Sequence, residues 1–125
     1  MSATTSAAPD GYHTVTPRIV ASDAKGLVDF VKRVFEASGA FEAQRPSEVR
    51  IGDSLVMISE AGERQPMPAF LYVYIADVDA TLARARAAGA RVLEEASLTP
   101  YGDRRCMFED RWGNTWQAAS RSGSS

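Results

Sequence analysis

The same pattern appears twice along this chain, and that repetition constrains the fold more than any single motif. Each copy reads as a short apolar strand, an Asp, an amphipathic helix, Gly-Ala, and then strand-like runs that end at a Gly-polar turn. The first copy passes from Ile19-Val20-Ala21-Ser22-Asp23 through a helical stretch to Gly39-Ala40, then to Gly52-Asp53 and Leu55-Val56-Met57-Ile58. The second passes from Tyr74-Ile75-Ala76-Asp77 through residues 80–88 to Gly89-Ala90, then to Gly113-Asn114 and Trp116-Gln117-Ala118-Ala119. A duplicated βαβββ unit implies an α+β fold. Two tandem modules form a curved mixed sheet around a cavity, with the helices on the outer face.

The remaining features set limits on function. With 125 residues the chain makes one domain with a real core. A formal net charge of −2 without a basic stripe argues against nucleic acid as a partner. Cys106, the single cysteine, excludes an internal disulfide and a multi-cysteine metal site, and its neighbours Met107 and Phe108 suggest a small buried hydrophobe. No apolar run approaches the ~20 residues that span a bilayer, so no membrane partner is expected. Residues 1–11 lack the charged and apolar regions of a signal peptide, and a cytoplasmic location is expected by default. Residues 1–13 and 120–125 read as flexible tails, flanking modules at 14–60 and 69–119.

In the first module residues 15–21 read as a strand and Asp23 as a helix N-cap. Leu27, Phe30, Val31, Val34 and Phe35 recur at helical spacing, and Gly39 suits the left-handed position that closes a helix. Residues 41–45 read as a weak strand, and residues 48–51 and 54–59 as a hairpin across Gly52-Asp53. In the second module Asp77 or Asp79 caps a helix with Val78, Leu82 and Ala85 inward and Arg84 and Arg86 exposed. Residues 91–93 form a strand, residues 99–103 a turn, and residues 104–109 and 115–119 a second hairpin.

These residues resemble the vicinal oxygen chelate superfamily, which contains glyoxalase I, bleomycin resistance proteins and extradiol dioxygenases. The resemblance is carried by Asp23 and its helix, by Asp77-Val78-Asp79-Ala80-Thr81 with Ala85…Ala88-Gly89-Ala90, and by Glu109-Asp110-Arg111-Trp112-Gly113-Asn114-Thr115-Trp116. It spans residues 14–119, and Tyr101-Gly102-Asp103-Arg104 is similar to a subgroup of small bacterial members. The fold hosts many activities. Metal-dependent members hold the ion with His, Glu or Gln on one early and one late strand of each module. Transferred by that resemblance, the positions fall at Thr16, at Met57 or Ser59, at Phe70 and at Gln117. Only Gln117 offers a suitable donor, so neither metal nor other cofactor is expected. His13 lies three residues before Thr16, and strand alternation gives it the opposite face. Glu60 and Glu109 stand at strand ends, as solvated carboxylates or as metal or base residues.

Strand alternation puts Phe70, Tyr72 and Tyr74 on the cavity side, with Leu71, Val73 and Ile75 beneath the helix. Thr16, Arg18 and Val20 share the cavity side from the first strand, and Thr115, Gln117 and Ala119 from the last. Such a floor either binds a flat aromatic molecule or closes a filled core. Trp116 belongs to the core. Trp112 falls at a pocket rim or against a neighbouring subunit, and Tyr101 in a loop over the cavity mouth or a solvated turn. The expected ligand-binding set is Thr16, Arg18, Met57, Phe70, Tyr72, Tyr74, Tyr101, Trp112 and Gln117, with no catalytic residue assigned.

The sequence therefore points first to a metal-free protein that sequesters an aromatic or hydrophobic compound, such as an antibiotic or metabolite. The alternative is a lyase, isomerase or dioxygenase with an atypical metal site, or a metal-free catalyst using Glu60, Asp103, Glu109 or a tyrosine. A vestigial cavity with only interaction roles is the third reading. Resemblance to the dimeric bleomycin-resistance type implies a homodimer whose subunits both line each site.

Overall fold

The computed structural model describes residues 7–121. It contains β1 (Arg18–Ala21), α1 (Ala24–Phe35), β2 (Ser38–Gly39), β3 (Ser47–Ile51), β4 (Ser54–Glu60), β5 (Phe70–Tyr74), α2 (Val78–Ala87), β6 (Arg91–Leu98), β7 (Asp103–Glu109) and β8 (Thr115–Arg121). The two βαβββ modules form two four-stranded mixed sheets, ordered β1-β4-β3-β2 and β5-β8-β7-β6. In each, the first strand pairs parallel with the last and the hairpins pair antiparallel. The repeat in sequence is thus a repeat in topology.

Helix α1 forms because Leu27, Val28, Phe30, Val31, Val34 and Phe35 fall on one buried face. Asp23 starts it from a left-handed conformation, φ 65°, and accepts a hydrogen bond from the Gly26 amide at 3.1 Å. The Glu60 carboxylate completes this end, one oxygen accepting from the Asp23 amide at 3.0 Å and the other from the Ala24 amide at 2.8 Å. Two amides that the helix leaves unpaired are satisfied in this way. Glu60 is therefore a capping group for α1. Helix α2 starts at Asp77, whose side chain accepts from the Ala80 amide.

The helices lie against each other and against both sheets. Phe30 and Phe35 of α1 meet Phe108, with ring centroids 6.5 and 6.1 Å apart, and Phe35 meets Trp116 at 5.0 Å. Arg84 of α2 donates from Nε to the Val34 carbonyl at 2.9 Å, so it is half-buried where solvent exposure was expected. The two modules thus share one core, in which Trp116, Phe108, Cys106 and Ala118 are fully buried. Burying Trp116 and Phe108 contributes several kcal/mol at ~25 cal/mol per Å² of apolar surface. The opposite faces of the sheets carry the polar and aromatic side chains. Among the described residues no helix is long and apolar enough to cross a membrane.

Several boundaries differ from the sequence reading. Helix α1 ends at Glu36, which takes the left-handed conformation, φ 54°, in place of Gly39. Gly39 lies in β2 at φ 125°, where a Cβ would stand 2.4 Å from the Glu48 carbonyl oxygen. Close strand approach, not helix closure, requires that glycine. The strand expected at 41–45 is a loop, closed by the Glu42 amide donating to the Ser47 hydroxyl at 2.8 Å. Strand β1 begins only at Arg18, and β6 runs on to Leu98 through two register shifts that disrupt its alternation. Within residues 7–13, read in the sequence as part of a tail, Gly11 and Tyr12 are bonded to side chains of β3. Arg50 donates to the Gly11 carbonyl at 3.1 Å, and the Tyr12 hydroxyl donates to Glu48.

Candidate aromatic binding site

On the open face of the second sheet, β5 presents Phe70, Tyr72 and Tyr74, which are 66, 38 and 58% exposed. The parallel register sets Phe70 beside Thr115, Tyr72 beside Gln117 and Tyr74 beside Ala119. Tyr72 and Tyr74 converge on Asp103 at the start of β7. Their hydroxyls donate to the same carboxylate oxygen, Oδ2, at 2.7 and 2.8 Å. Arg121 closes the other oxygen, Nε to Oδ1, at 2.6 Å. The Asp103 amide donates to the Thr99 hydroxyl at 2.9 Å. Asp103 is fully buried beneath these side chains.

Tyr101, in the turn before β7, adds a third ring. Its hydroxyl lies 3.4 Å from that of Tyr72 and accepts a hydrogen bond from Arg105 at 2.8 Å. Burial and the bonds to Tyr101 and Asp103 raise the Tyr72 phenol well above its ordinary range. The Tyr72 hydroxyl, joined by Tyr74 and Arg121 and opposed by burial, holds the Asp103 carboxyl below the usual carboxylate range. At neutral pH Asp103 is an ionised carboxylate held by the Tyr72 and Tyr74 hydroxyls and the Arg121 guanidinium. It is poised to hold geometry, because the Tyr72 phenol gives up its proton less readily than an ordinary tyrosine and the Asp103 oxygens are already bonded.

Tyr72 and Tyr74 also line a cleft of about 390 Å³ with Leu71 and Val73, closed on the other side by Pro17, Ile51, Val56 and the Gly52-Asp53 turn. Both modules contribute to it. Thr16 and Met57 meet elsewhere, with His13, Tyr12 and Glu48, in a wider cleft of about 620 Å³ between the N-terminal segment and the first sheet. Arg18 is exposed beside Met57 and donates from Nε to the Ser59 hydroxyl at 2.8 Å. Trp112 stands apart from the tyrosines. It is half-buried on the core side, 6.1 Å from Phe30 between centroids, with the Arg111 guanidinium 4.2 Å above its ring. Glu109 pairs with Arg91 at 2.7 Å.

The strand pairing settles the fourth position equivalent to a metal ligand. Arg18 pairs with Met57 just as Tyr72 pairs with Gln117, so Met57 corresponds to Gln117. A hydroxyl, a thioether, a phenyl ring and one amide are a poor donor set for zinc, nickel or iron. Among the described residues no three His, Cys, Asp or Glu side chains cluster to hold a metal ion. The residues present do not fit the metal that this fold carries in its metalloenzyme members.

Sequence reasoning missed Arg121 and the central place of Asp103. Arg121 fell in the supposed tail, although Thr115, Gln117, Ala119 and Arg121 continue one alternation. Asp103 was read as a turn residue or one of several acid–base candidates, and only the pairing of β7 with β8, which sets Asp103 against Arg121, brings it to the tyrosines.

The sequence matches the Glyoxalase/Bleomycin resistance protein/Dioxygenase superfamily over residues 12–118. No curated protein sequence matches the chain. Among solved structures, TioX from Micromonospora sp. ML1 is similar with a TM-score of 0.74 and 23% identity, over 87% of this chain and 98% of that one. A glyoxalase/bleomycin resistance protein/dioxygenase family enzyme from Burkholderia phytofirmans PsJN gives 0.72 at 16% identity, over 85 and 96% of the two chains. A member of the same superfamily from Sphaerobacter thermophilus gives 0.69 at 17%, over 86 and 96%. At these identities the structures establish the fold, while the family match covers nearly the whole sequence. The chain belongs to the glyoxalase/bleomycin resistance protein/dioxygenase superfamily.

Proposed function

We propose that this protein is a metal-free member of its superfamily, of the bleomycin-resistance kind, that sequesters a small aromatic or hydrophobic compound. The observation that carries this reading is the row Phe70, Tyr72 and Tyr74, three aromatic side chains on one exposed sheet face. Exposed aromatic surface of this extent costs solubility unless something covers it, and rings recognise flat molecules by stacking and edge contacts. The donor set at the metal positions supports binding over metal-assisted turnover. Gln117 and the cleft that Tyr72 and Tyr74 share with the first module supply polar and apolar walls.

The site is completed in a homodimer, in which a second copy covers the open sheet faces and both subunits wall each cavity. A sedimentation experiment at micromolar concentration tests this, and a monomer contradicts it. The binding reading is tested by thermal shift against a panel of planar aromatic compounds. A stabilisation of about 2.7 kcal/mol is expected at a ligand concentration 100 times Kd. No shift with any member of the panel, or stoichiometric zinc, nickel, manganese or iron in protein purified without chelators, overturns it.

A further inference from the structure

Phe70 and the two tyrosines share one strand face, but they are not held alike. No hydrogen bond can orient the Phe70 ring. The Tyr72 and Tyr74 rings are each anchored at the far end, by hydroxyls that donate to one oxygen of a fully buried carboxylate. That carboxylate is itself fixed by Arg121 and by its own amide on Thr99. A long side chain on an open sheet face ordinarily samples several rotamers and loses that freedom on binding, at a cost to affinity. Here the freedom is already gone. The two rings stand 5.4 Å apart between centroids, tilted by 59°.

The same bonds decide what the rings offer a ligand. Each phenol has one hydrogen to donate, and Asp103 takes both. Tyr101 accepts from Arg105, and its own hydrogen is the one left to bridge the 3.4 Å to the Tyr72 oxygen. The charges facing the pair are matched as well: Asp103 with Arg121 from β8, and Arg105 of β7 with Glu94 of β6. What Tyr72 and Tyr74 themselves offer a ligand is ring surface on an electrically balanced patch.

We propose that Asp103 is the positioning residue of the aromatic site, fixing the angle between the Tyr72 and Tyr74 rings so that they select a flat, uncharged aromatic ligand by ring contact. This rests on the aromatic-binding reading above and adds its mechanism of selectivity. Asp103 acts through the tyrosines and does not itself touch the ligand.

The experiment uses the intact protein and N-phenyl-1-naphthylamine, a neutral planar probe whose fluorescence reports binding. The double variant Tyr72→Phe/Tyr74→Phe keeps both rings and leaves Asp103 paired with Arg121. It is expected to weaken probe binding about tenfold, the consequence of rings that must now be ordered on binding; because it also takes two donors from the buried Asp103 carboxylate, a lower melting temperature is expected and titrations are run well below it. Equal affinity in parent and variant overturns the positioning role while leaving the aromatic-binding reading intact. Failure of the parent to bind the probe counts against the aromatic-binding reading, and the positioning role is then judged without ligand. Three-bond couplings in labelled tyrosine should report a single χ1 rotamer at Tyr72 and Tyr74 in the parent. Rotamer averaging at either ring overturns the proposal by itself.

Discussion

The indole of Trp116 donates a buried hydrogen bond, 2.9 Å long, to the carboxylate of Asp110. The same carboxylate accepts from the amides of Trp112 and Asn114 and from the Asn114 side chain, and Asn114 in turn accepts from the Ala69 amide. One side chain thereby ties the β7–β8 turn to the start of β5, the strand that carries the aromatic row. Removing it strands several buried donors. Asp110→Ala is expected to lower stability by about 3 kcal/mol, and Trp116→Phe by less, since it removes one of those bonds. Urea unfolding followed by circular dichroism measures both. An Asp110→Ala loss no larger than that of a surface substitution would show that the knot contributes little.

Glu60 is expected to behave as a helix cap. Its two oxygens satisfy the first amides of α1, so Glu60→Ala should cost about 1 kcal/mol. Binding of aromatic probes should be unchanged. A variant as stable as the parent but defective in binding would instead place Glu60 in the site.

Phe70 offers the opposite contrast. The residue is 66% exposed in a single subunit, so Phe70→Ala should change the stability of the subunit fold, measured at concentrations that dissociate the dimer, by no more than about 0.5 kcal/mol. Loss of its stacking surface should weaken binding of a planar aromatic probe several-fold. Comparing melting temperatures with fluorescence titrations separates the two effects.

How much of this was legible in the sequence follows from where the information is local. Helical spacing at Leu27 to Phe35, the caps Asp23 and Asp77 (the second read as Asp77 or Asp79), and the two-residue turn Gly52-Asp53 are short-range signals, and the elements they mark are where they were expected. Alternation also put Phe70, Tyr72 and Tyr74 on one face and Leu71 and Val73 on the other. The end of α1 was misplaced because Glu36 adopts a conformation that usually favours glycine. Strand β6 was cut short because its register shifts break the period of two. The convergence on Asp103 was not legible, since it depends on the order β5-β8-β7, which no local pattern encodes. The contact of Trp112 with Phe30 was not legible for the same reason: which side of a turn an indole takes is decided by α1, distant in sequence.

Two ionisations give stability a pH dependence with known sign. The Asp103 carboxyl is depressed in the folded protein by the Tyr72 hydroxyl first, then by Tyr74 and Arg121. Its contribution is present above the unfolded carboxyl range near 3.8 and is lost as pH falls through the lower folded value. Tyr72 is raised, so its contribution is full below the ordinary phenol value of 10.0 and is lost as pH rises from there toward the higher folded value. Thermal melts across pH should therefore decline at both ends. Tyr72→Phe should flatten the alkaline limb, and an unchanged limb would assign it to other groups.

The central claim is that the aromatic face holds an organic molecule without a metal. Native mass spectrometry of the protein purified without chelators, paired with elemental analysis, reads both halves at once. The account predicts a dimer carrying a noncovalent adduct of an ultraviolet-absorbing organic compound, with no metal near stoichiometry. A bare protein that carries stoichiometric zinc, nickel, manganese or iron would contradict it.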